Sequence, residues 1–98
     1  MIYHYVTGAN WKKAQEQGFY TNPSLDKEGF IHASKKEQLP GVLQRYYATT
    51  PDLFVLHIDE QKLTAPLKWE LSPSINELFP HIFGELNLDA VVDVVPVQ

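Results

Sequence analysis

Cysteine is absent from the 98-residue sequence. Its absence excludes a disulfide framework, a cysteine nucleophile, a thiolate zinc site and an iron–sulfur cluster. Positive charge is also scarce, since 8 Lys and Arg stand against 12 Asp and Glu and give a formal net charge of −4. A chain without an excess of cations is poorly suited to neutralise a phosphodiester backbone, so we expect no general nucleic-acid binding.

Long apolar runs are missing as well. A membrane span needs about 20 apolar residues, and the sequence has no stretch of that kind and no basic segment ahead of an apolar one at its start. We therefore expect no membrane association and a cytoplasmic location. With 44% hydrophobic residues, residues 1–98 are expected to form one domain with a single two-layer core.

Clusters of β-branched and aromatic residues predict short strands. They occur at residues 2–7, 30–33, 53–58, 67–71 and 91–97. The run Asn-Pro-Ser at 22–24 indicates a loop over 19–26 with at most a short strand, and residues 79–83 are predicted to be a short extended or turn segment.

Two helices are predicted between these strands. The first spans 11–17, with Asn10 as its N-cap and Gly18 after its last residue. Ser34 and Glu37 form a capping-box pattern before the second, which holds Pro40 in its first turn. Short strands with two early helices favour the α+β class over regular βαβ units.

Alternation along a strand predicts which polar side chains share a face. His4 is expected on the face of Ile2 and Val6, and therefore partly buried. His32 is expected beside Ser34. Glu70 shares a face with Lys68, which points either to solvent or into a cleft.

Taken singly, these residues have ordinary structural explanations. A strand histidine such as His57 or His4 is commonly satisfied by a backbone carbonyl, Glu70 alone is typical of a solvated strand, and Ser34 is explained as a helix cap. A weaker alternative takes His32, His81 and Glu70 as a metal site, because two imidazoles and a carboxylate are a common zinc set. Their spacing fits no short zinc motif.

Two longer runs are distinctive enough to compare with known families. They are Gly-Phe-Ile-His-x-Ser at 29–34 and Phe-Pro-His-x-Phe-Gly at 79–84. Together with Ile2-Tyr3-His4, Arg45-Tyr46-Tyr47 and Trp69-Glu70, they resemble an uncharacterised bacterial family catalogued as domain of unknown function 952. The resemblance covers essentially the whole chain. Phe83 departs from it, since the family commonly has Tyr there.

The resemblance implies a fold similar to the ADP-ribosyltransferase superfamily, in which two small, mainly antiparallel sheets form a cleft that holds NAD. It implies that Glu70 and His32 are catalytic, with the Glu70 carboxylate stabilising positive charge on the ribose. His4, Ser34 and His81 would bind the cofactor, NAD.

Two function classes therefore stay open. One is ADP-ribosyl transfer or NAD glycohydrolysis. The other is a non-catalytic module on the same fold that binds a small nucleotide or a protein. Because the chain is acidic, a pyrophosphate ligand would need cations or backbone amides placed locally.

Overall fold

The computed structural model describes residues 1–97 and has an α+β architecture, as the sequence predicts. Its strands are β1 (Ile2–Thr7), β2 (Phe19–Tyr20), β3 (Ile31–His32), β4 (Leu53–Ile58), β5 (Leu67–Ser72), β6 (Glu77–Ile82), β7 (Leu86–Asn87) and β8 (Val91–Pro96). Its α-helices are α1 (Gly8–Gln17), α2 (Pro23–Glu28) and α3 (Leu39–Tyr46), with 3-10 turns at Lys36–Gln38, Glu60–Lys62 and Leu88–Ala90. No helix within residues 1–97 has the length and apolar character needed to cross a membrane.

The strands form three antiparallel sheets where two were expected. The first sheet has the order β1–β4–β8, the second has the order β3–β6–β5, and β2 pairs with β7. The backbones of the two larger sheets are bridged at Tyr3, whose N–H donates to the Ser34 carbonyl at 2.9 Å and whose carbonyl accepts the Ser34 N–H at 2.8 Å.

A third helix, α2, occupies part of the segment predicted as a loop. The Asn22 side chain accepts a hydrogen bond from the Ser24 N–H at 2.9 Å, Pro23 stands in the first turn, and Gly29 ends the helix at a φ of 88°. The same Asn-Pro-Ser run suits a turn or a helix start, since Asn caps helices and proline is tolerated at their first position.

Helix α1 begins earlier than predicted. Its N-cap is Thr7 and not Asn10, because the Thr7 hydroxyl accepts the Asn10 N–H at 3.3 Å. The prediction for Gly18 is confirmed: it caps the end of the helix at a φ of 93°, a left-handed conformation that glycine adopts without steric cost.

Ser34 does not cap α3. Its backbone is engaged with Tyr3, and the Lys35 N–H donates to the Gln38 side-chain oxygen at 2.8 Å, a contact that caps the 3-10 turn preceding α3. Pro40 lies in the first turn of α3, as predicted. The serine hydroxyl is thereby left for another role.

The segment around Pro80, predicted to be a short extended or turn segment, is extended and belongs to strand β6 at the centre of the second sheet. A central proline is unusual because it has no N–H to donate. Here Pro80 faces Trp69 of β5, and its carbonyl accepts the Ala33 N–H at 3.1 Å. Strand β6 therefore stays paired with both β3 and β5, and it places His81 in the middle of the sheet.

The core covers both faces of the first sheet. Ile2, Val6 and Leu56 are buried on one face, and Tyr5 and Val55 are buried on the other, against α3. The predicted alternation in β1 is confirmed, and His4, on the face of Ile2 and Val6, is fully inside the protein.

Candidate functional site

A cavity of about 660 Å³ lies where β1, β3 and β6 meet, with α2 and α3 forming further walls. This volume is in the range that holds small-molecule ligands, about 300–1,000 Å³. Four of the five predicted site residues line it: His4, His32, Ser34 and His81. The fifth, Glu70, does not line the cavity, but its carboxylate contacts His81, which does.

Glu70 and His81 form a hydrogen-bonded pair. Glu70 lies on β5 and His81 on β6, and the Nδ1 atom of His81 is 2.7 Å from the Glu70 Oε1 atom. Since an ionised carboxylate can only accept, His81 donates from Nδ1 and keeps its proton there. In the neutral ring Nε2 then carries a lone pair, and this atom has no hydrogen-bond partner within residues 1–97.

The orientation of His81 is fixed by a neighbouring ring. Phe30 stacks on the imidazole with ring centroids 4.0 Å apart and planes inclined by only 10°. The His81 side chain is 12% exposed, whereas the Glu70 side chain is 44% exposed. A carboxylate on Nδ1 and a phenyl ring on one face hold the imidazole of this cavity-lining residue, and Nε2 is its ring nitrogen without a partner among residues 1–97.

His32 forms a second pair with a carboxylate, but in more open surroundings. Its Nε2 atom is 2.7 Å from Glu28 Oε2 of α2, and both side chains are about half exposed. His32 lies opposite His81 in the strand register, with the two rings in an edge-to-face contact at 5.2 Å. His32 and Ser34, predicted side by side, line the same cavity together with His81.

Both ring nitrogens of His4 form hydrogen bonds within the protein. Its Nδ1 atom donates to the His32 carbonyl and its Nε2 atom accepts from the Tyr20 hydroxyl at 2.8 Å, which defines a neutral tautomer. Burial lowers the pKa of His4 from its usual 6.5 to about 4. The imidazole thus ties β1 to the backbone of β3, and no nitrogen is left to meet a ligand.

The hydrogen-bond chain that starts at His4 continues to α2. The Tyr20 hydroxyl accepts from the Asn22 amide at 3.0 Å, and Asn22 in turn caps α2. Burial raises the pKa of Tyr20 to about 12, so its hydroxyl keeps the proton that it donates to His4. This chain positions α2, and with it Glu28, beside the cavity.

The Ser34 hydroxyl has no hydrogen-bond partner among the described residues. Ser34 is buried and lines the cavity, while its backbone makes the bridge to Tyr3. Within residues 1–97 its Oγ atom makes no hydrogen bond, and no side-chain polar atom there is both sealed from solvent and unpaired. The hydroxyl is therefore accessible from the cavity, where it can donate and accept.

Sequence reasoning missed the wall that α3 contributes. Val42, Arg45, Tyr46 and Tyr47 all line the cavity. Tyr46 is 69% exposed, so this wall is partly open to solvent. The run Arg45-Tyr46-Tyr47 belonged to the family resemblance, and that was the available signal for this wall.

Phe83 lies outside the cavity wall. Its ring contacts Phe30 at 5.2 Å between centroids, and the Lys68 ammonium group is 4.9 Å from the Phe83 centroid. It is not among the residues that line the cavity. Replacement of the family's usual Tyr therefore removes no hydroxyl from the cavity lining.

The structure does not assemble His32, His81 and Glu70 into a metal site. Among residues 1–97, no group of three His, Cys, Asp or Glu side chains has an arrangement suited to a metal ion. Each histidine is instead directed to its own carboxylate, His32 to Glu28 and His81 to Glu70. This arrangement suits hydrogen bonding and proton transfer more than metal coordination.

The fold has close counterparts among solved structures. The chain is similar to the crystal structure of protein CC0527 from Caulobacter crescentus, with 28% identity and a TM-score of 0.90 over 99% of this chain and 85% of that one. It is also similar to the solution NMR structure of CC0527, with 28% identity and a TM-score of 0.84 over 99% of this chain and 84% of that one.

Comparison of the sequence with curated proteins gives no match. The model of one family, described as "Protein of unknown function (DUF952)", matches residues 5–94. That range contains the cavity residues His32, Ser34, Arg45 and His81, together with Glu70. The chain therefore belongs to the DUF952 family.

Proposed function

We propose that the chain is a cytosolic protein whose cavity binds NAD or an ADP-ribose-like nucleotide and supports cleavage of the bond between nicotinamide and ribose. The observation that carries this proposal is the Glu70–His81 pair, whose open Nε2 atom belongs to a residue lining a cavity of about 660 Å³. A carboxylate-oriented imidazole at a cavity is the arrangement that general bases use.

The groups around His81 suit a ribose diol. Nε2 of His81 accepts a hydrogen bond, and the free hydroxyl of Ser34 both donates and accepts. Nδ1 of His32 adds a third polar position, because Glu28 occupies only Nε2. Tyr5, Tyr46 and Phe79, also in the lining, offer apolar ring surface for a flat base.

The charge of the pair suits the reaction. With the imidazole neutral, Glu70 and His81 together carry one negative charge beside the ribose site, which favours the positive charge that the sugar acquires as nicotinamide leaves. The C1′–N bond breaks with its electrons passing to nicotinamide, and a water oxygen bonds to C1′. The released proton passes to Nε2 of His81 and then to solvent.

Roles for the five predicted residues follow from these contacts. In this proposal His81 and Ser34 contact the ligand, His32 extends the same polar surface, and Glu70 positions His81 and supplies the charge. His4 holds β1 and β3 together at the cavity wall. The choice of NAD in particular rests on the fold that the family resemblance implies, similar to that of ADP-ribosyltransferases, which is a fold-level analogy.

The test is nicotinamide release from NAD by the purified full chain, followed by chromatography. We expect turnover in the wild type and a loss of about 100-fold or more in Glu70→Gln, because general base catalysis by an oriented imidazole contributes about 10²–10⁴-fold. The matched control is Glu85→Gln, which removes the same charge from an exposed residue outside the cavity wall.

Titrations with NAD and ADP-ribose separate the two function classes. Saturable binding without nicotinamide release would overturn the cleavage step and leave a non-catalytic nucleotide-binding module. Absence of saturable binding by the folded wild-type chain would overturn the nucleotide proposal altogether and favour a protein-binding module. Equal loss of turnover in Glu85→Gln and Glu70→Gln would remove the special role given to the Glu70–His81 pair.

A further inference from the structure

We infer that Arg45 is a phosphate-recognition residue of the cavity, so that the ligand is a phosphorylated nucleoside whose phosphate contacts the α3 wall. This inference rests on the proposed function and deepens it, because it names the charged part of the ligand and the residue that selects it. The α3 wall consists of Val42, Arg45, Tyr46 and Tyr47.

The charges around the cavity single out Arg45. It is the only Lys or Arg among the residues of 1–97 that line the cavity. Glu28 is the only Asp or Glu in that lining, and its carboxylate is already bonded to His32 at 2.7 Å. An anionic ligand that enters the cavity therefore meets one cation and no carboxylate that lacks a partner.

Arg45 itself is not engaged by an acidic group. No ion pair joins its guanidinium to a carboxylate within residues 1–97, although the chain has 12 Asp and Glu against 8 Lys and Arg. Its guanidinium carbon lies 5.8 Å from the centroid of the Tyr46 ring, a cation–π contact. All the N–H groups of the fork stay available for a bidentate contact with phosphate.

A glycine in α3 makes room for this side chain. Gly41 lies one turn before Arg45, and a Cβ atom at Gly41 would be 3.0 Å from the Arg45 Nη1 atom. Glycine inside a helix costs about 1 kcal/mol relative to alanine, so its presence calls for a local reason. The guanidinium lies against the surface of α3 at Gly41, where a larger residue would contact it.

Phosphate suits this position because it offers more acceptor oxygens than a carboxylate does. The planar fork of arginine matches two phosphate oxygens, and hydroxyl groups supply further donors. Tyr46, Tyr47 and Ser72 all belong to the cavity lining and bring hydroxyl groups. With the diol-binding groups His81 and Ser34 on a different wall of the same cavity, ribose and phosphate are recognised separately.

The test is calorimetric titration of the full chain with ADP-ribose, adenosine and inorganic phosphate. We expect Arg45→Gln to weaken ADP-ribose binding about tenfold or more and to leave adenosine binding unchanged within about twofold, since a hydrogen bond to a charged group is worth this much. Arg45→Lys should recover only part of the loss, because an ammonium group lacks the fork.

Two further variants make the test specific. Lys12→Gln removes the same charge from an exposed position on α1 outside the cavity wall, and ADP-ribose affinity should change less than about twofold. Gly41→Ala should keep the helix folded and change ADP-ribose affinity less than about threefold, because the flexible end of the Arg45 side chain needs to move by only a few tenths of an ångström.

The possible outcomes are distinguishable. If the wild type binds ADP-ribose and Arg45→Gln binds it equally well, the Arg45 inference is overturned while the proposed function stands. A second outcome is that the wild type binds neither ADP-ribose nor adenosine but binds inorganic phosphate, and that Arg45→Gln loses this binding. The phosphate site then stands and the nucleotide proposal fails. If the wild type binds none of the three probes, both are overturned.

Discussion

The β1–β4 pair and the β5–β6 pair are antiparallel pairs of six-residue strands, but they bury their side chains very differently. Four of the six residues are buried in each of β1 and β4. In β6 two of six are buried, and in β5 none is. The first pair therefore supplies the packing that keeps the chain folded, whereas the second can carry Glu70 and His81 at low cost in stability.

The largest expected effect tests the first half of this comparison. Leu56→Ala removes a fully buried side chain from the centre of the first sheet. We expect the free energy of unfolding to fall by about 2–5 kcal/mol, because the lost transfer energy adds to the cost of a cavity. Urea denaturation followed by circular dichroism measures this change.

The matched variant is Leu78→Ala in β6, where the side chain is 49% exposed. Its cost should stay below about 1 kcal/mol, as is usual for surface positions. A similar loss of stability in both variants would mean that the two strand pairs contribute alike, and the comparison would be wrong.

Acid should weaken the link between the two larger sheets. His4 has a pKa of about 4 in the folded protein against 6.5 for an unperturbed histidine. As pH falls below 6.5, the unfolded chain takes up this proton first, so stability is full above pH 6.5 and is lost progressively down to about pH 4. The loss from this group amounts to about 3 kcal/mol at its limit.

The variant His4→Asn isolates this contribution, since its amide still donates toward the His32 carbonyl but does not titrate. The free energy of unfolding of both proteins is measured by urea denaturation between pH 8 and pH 4. The advantage of the wild type over the variant at pH 8 should shrink as pH decreases. An advantage that stays constant over this range would contradict a neutral, buried His4.

The strands of the first sheet were predictable because their signal is local. Residues 2–7 and 53–58 are rich in β-branched, aromatic and other apolar residues, and the structure has strands at Ile2–Thr7 and Leu53–Ile58. Helix α2 was missed for the opposite reason, since the run at 22–24 is compatible with two local structures. The choice between them depends on Asn22, whose side chain both caps α2 and reaches Tyr20.

The candidate site was predictable as a set of residues but not as a set of contacts. Glu70 and His81 were both singled out, yet their pairing depends on the register of β5 against β6, in which Glu70 lies opposite Phe79 and diagonal to His81. Register is a property of two strands together, so neither strand's sequence reveals it. The position of Arg45 depends likewise on how α3 packs against the first sheet.

The smallest expected effects on stability come from the two histidine–glutamate pairs, and they sharpen the comparison most. Glu70→Gln and Glu28→Gln each remove a carboxylate that is nearly half exposed and 2.7 Å from an imidazole nitrogen. Exposed pairs of this kind contribute about 0–1 kcal/mol, so urea denaturation should give nearly the same free energy of unfolding for both variants and the wild type.

Their effects on ADP-ribose affinity should nevertheless differ, because His81 is 12% exposed whereas His32 is 55% exposed. Loss of charge matters more where water is excluded, so calorimetry should show about a tenfold weakening for Glu70→Gln and less than about threefold for Glu28→Gln. Equal weakening would place both pairs in the binding site. If the wild type binds ADP-ribose and neither variant weakens this binding, the site does not depend on oriented imidazoles. The low burial of the β5–β6 pair would then have no functional meaning.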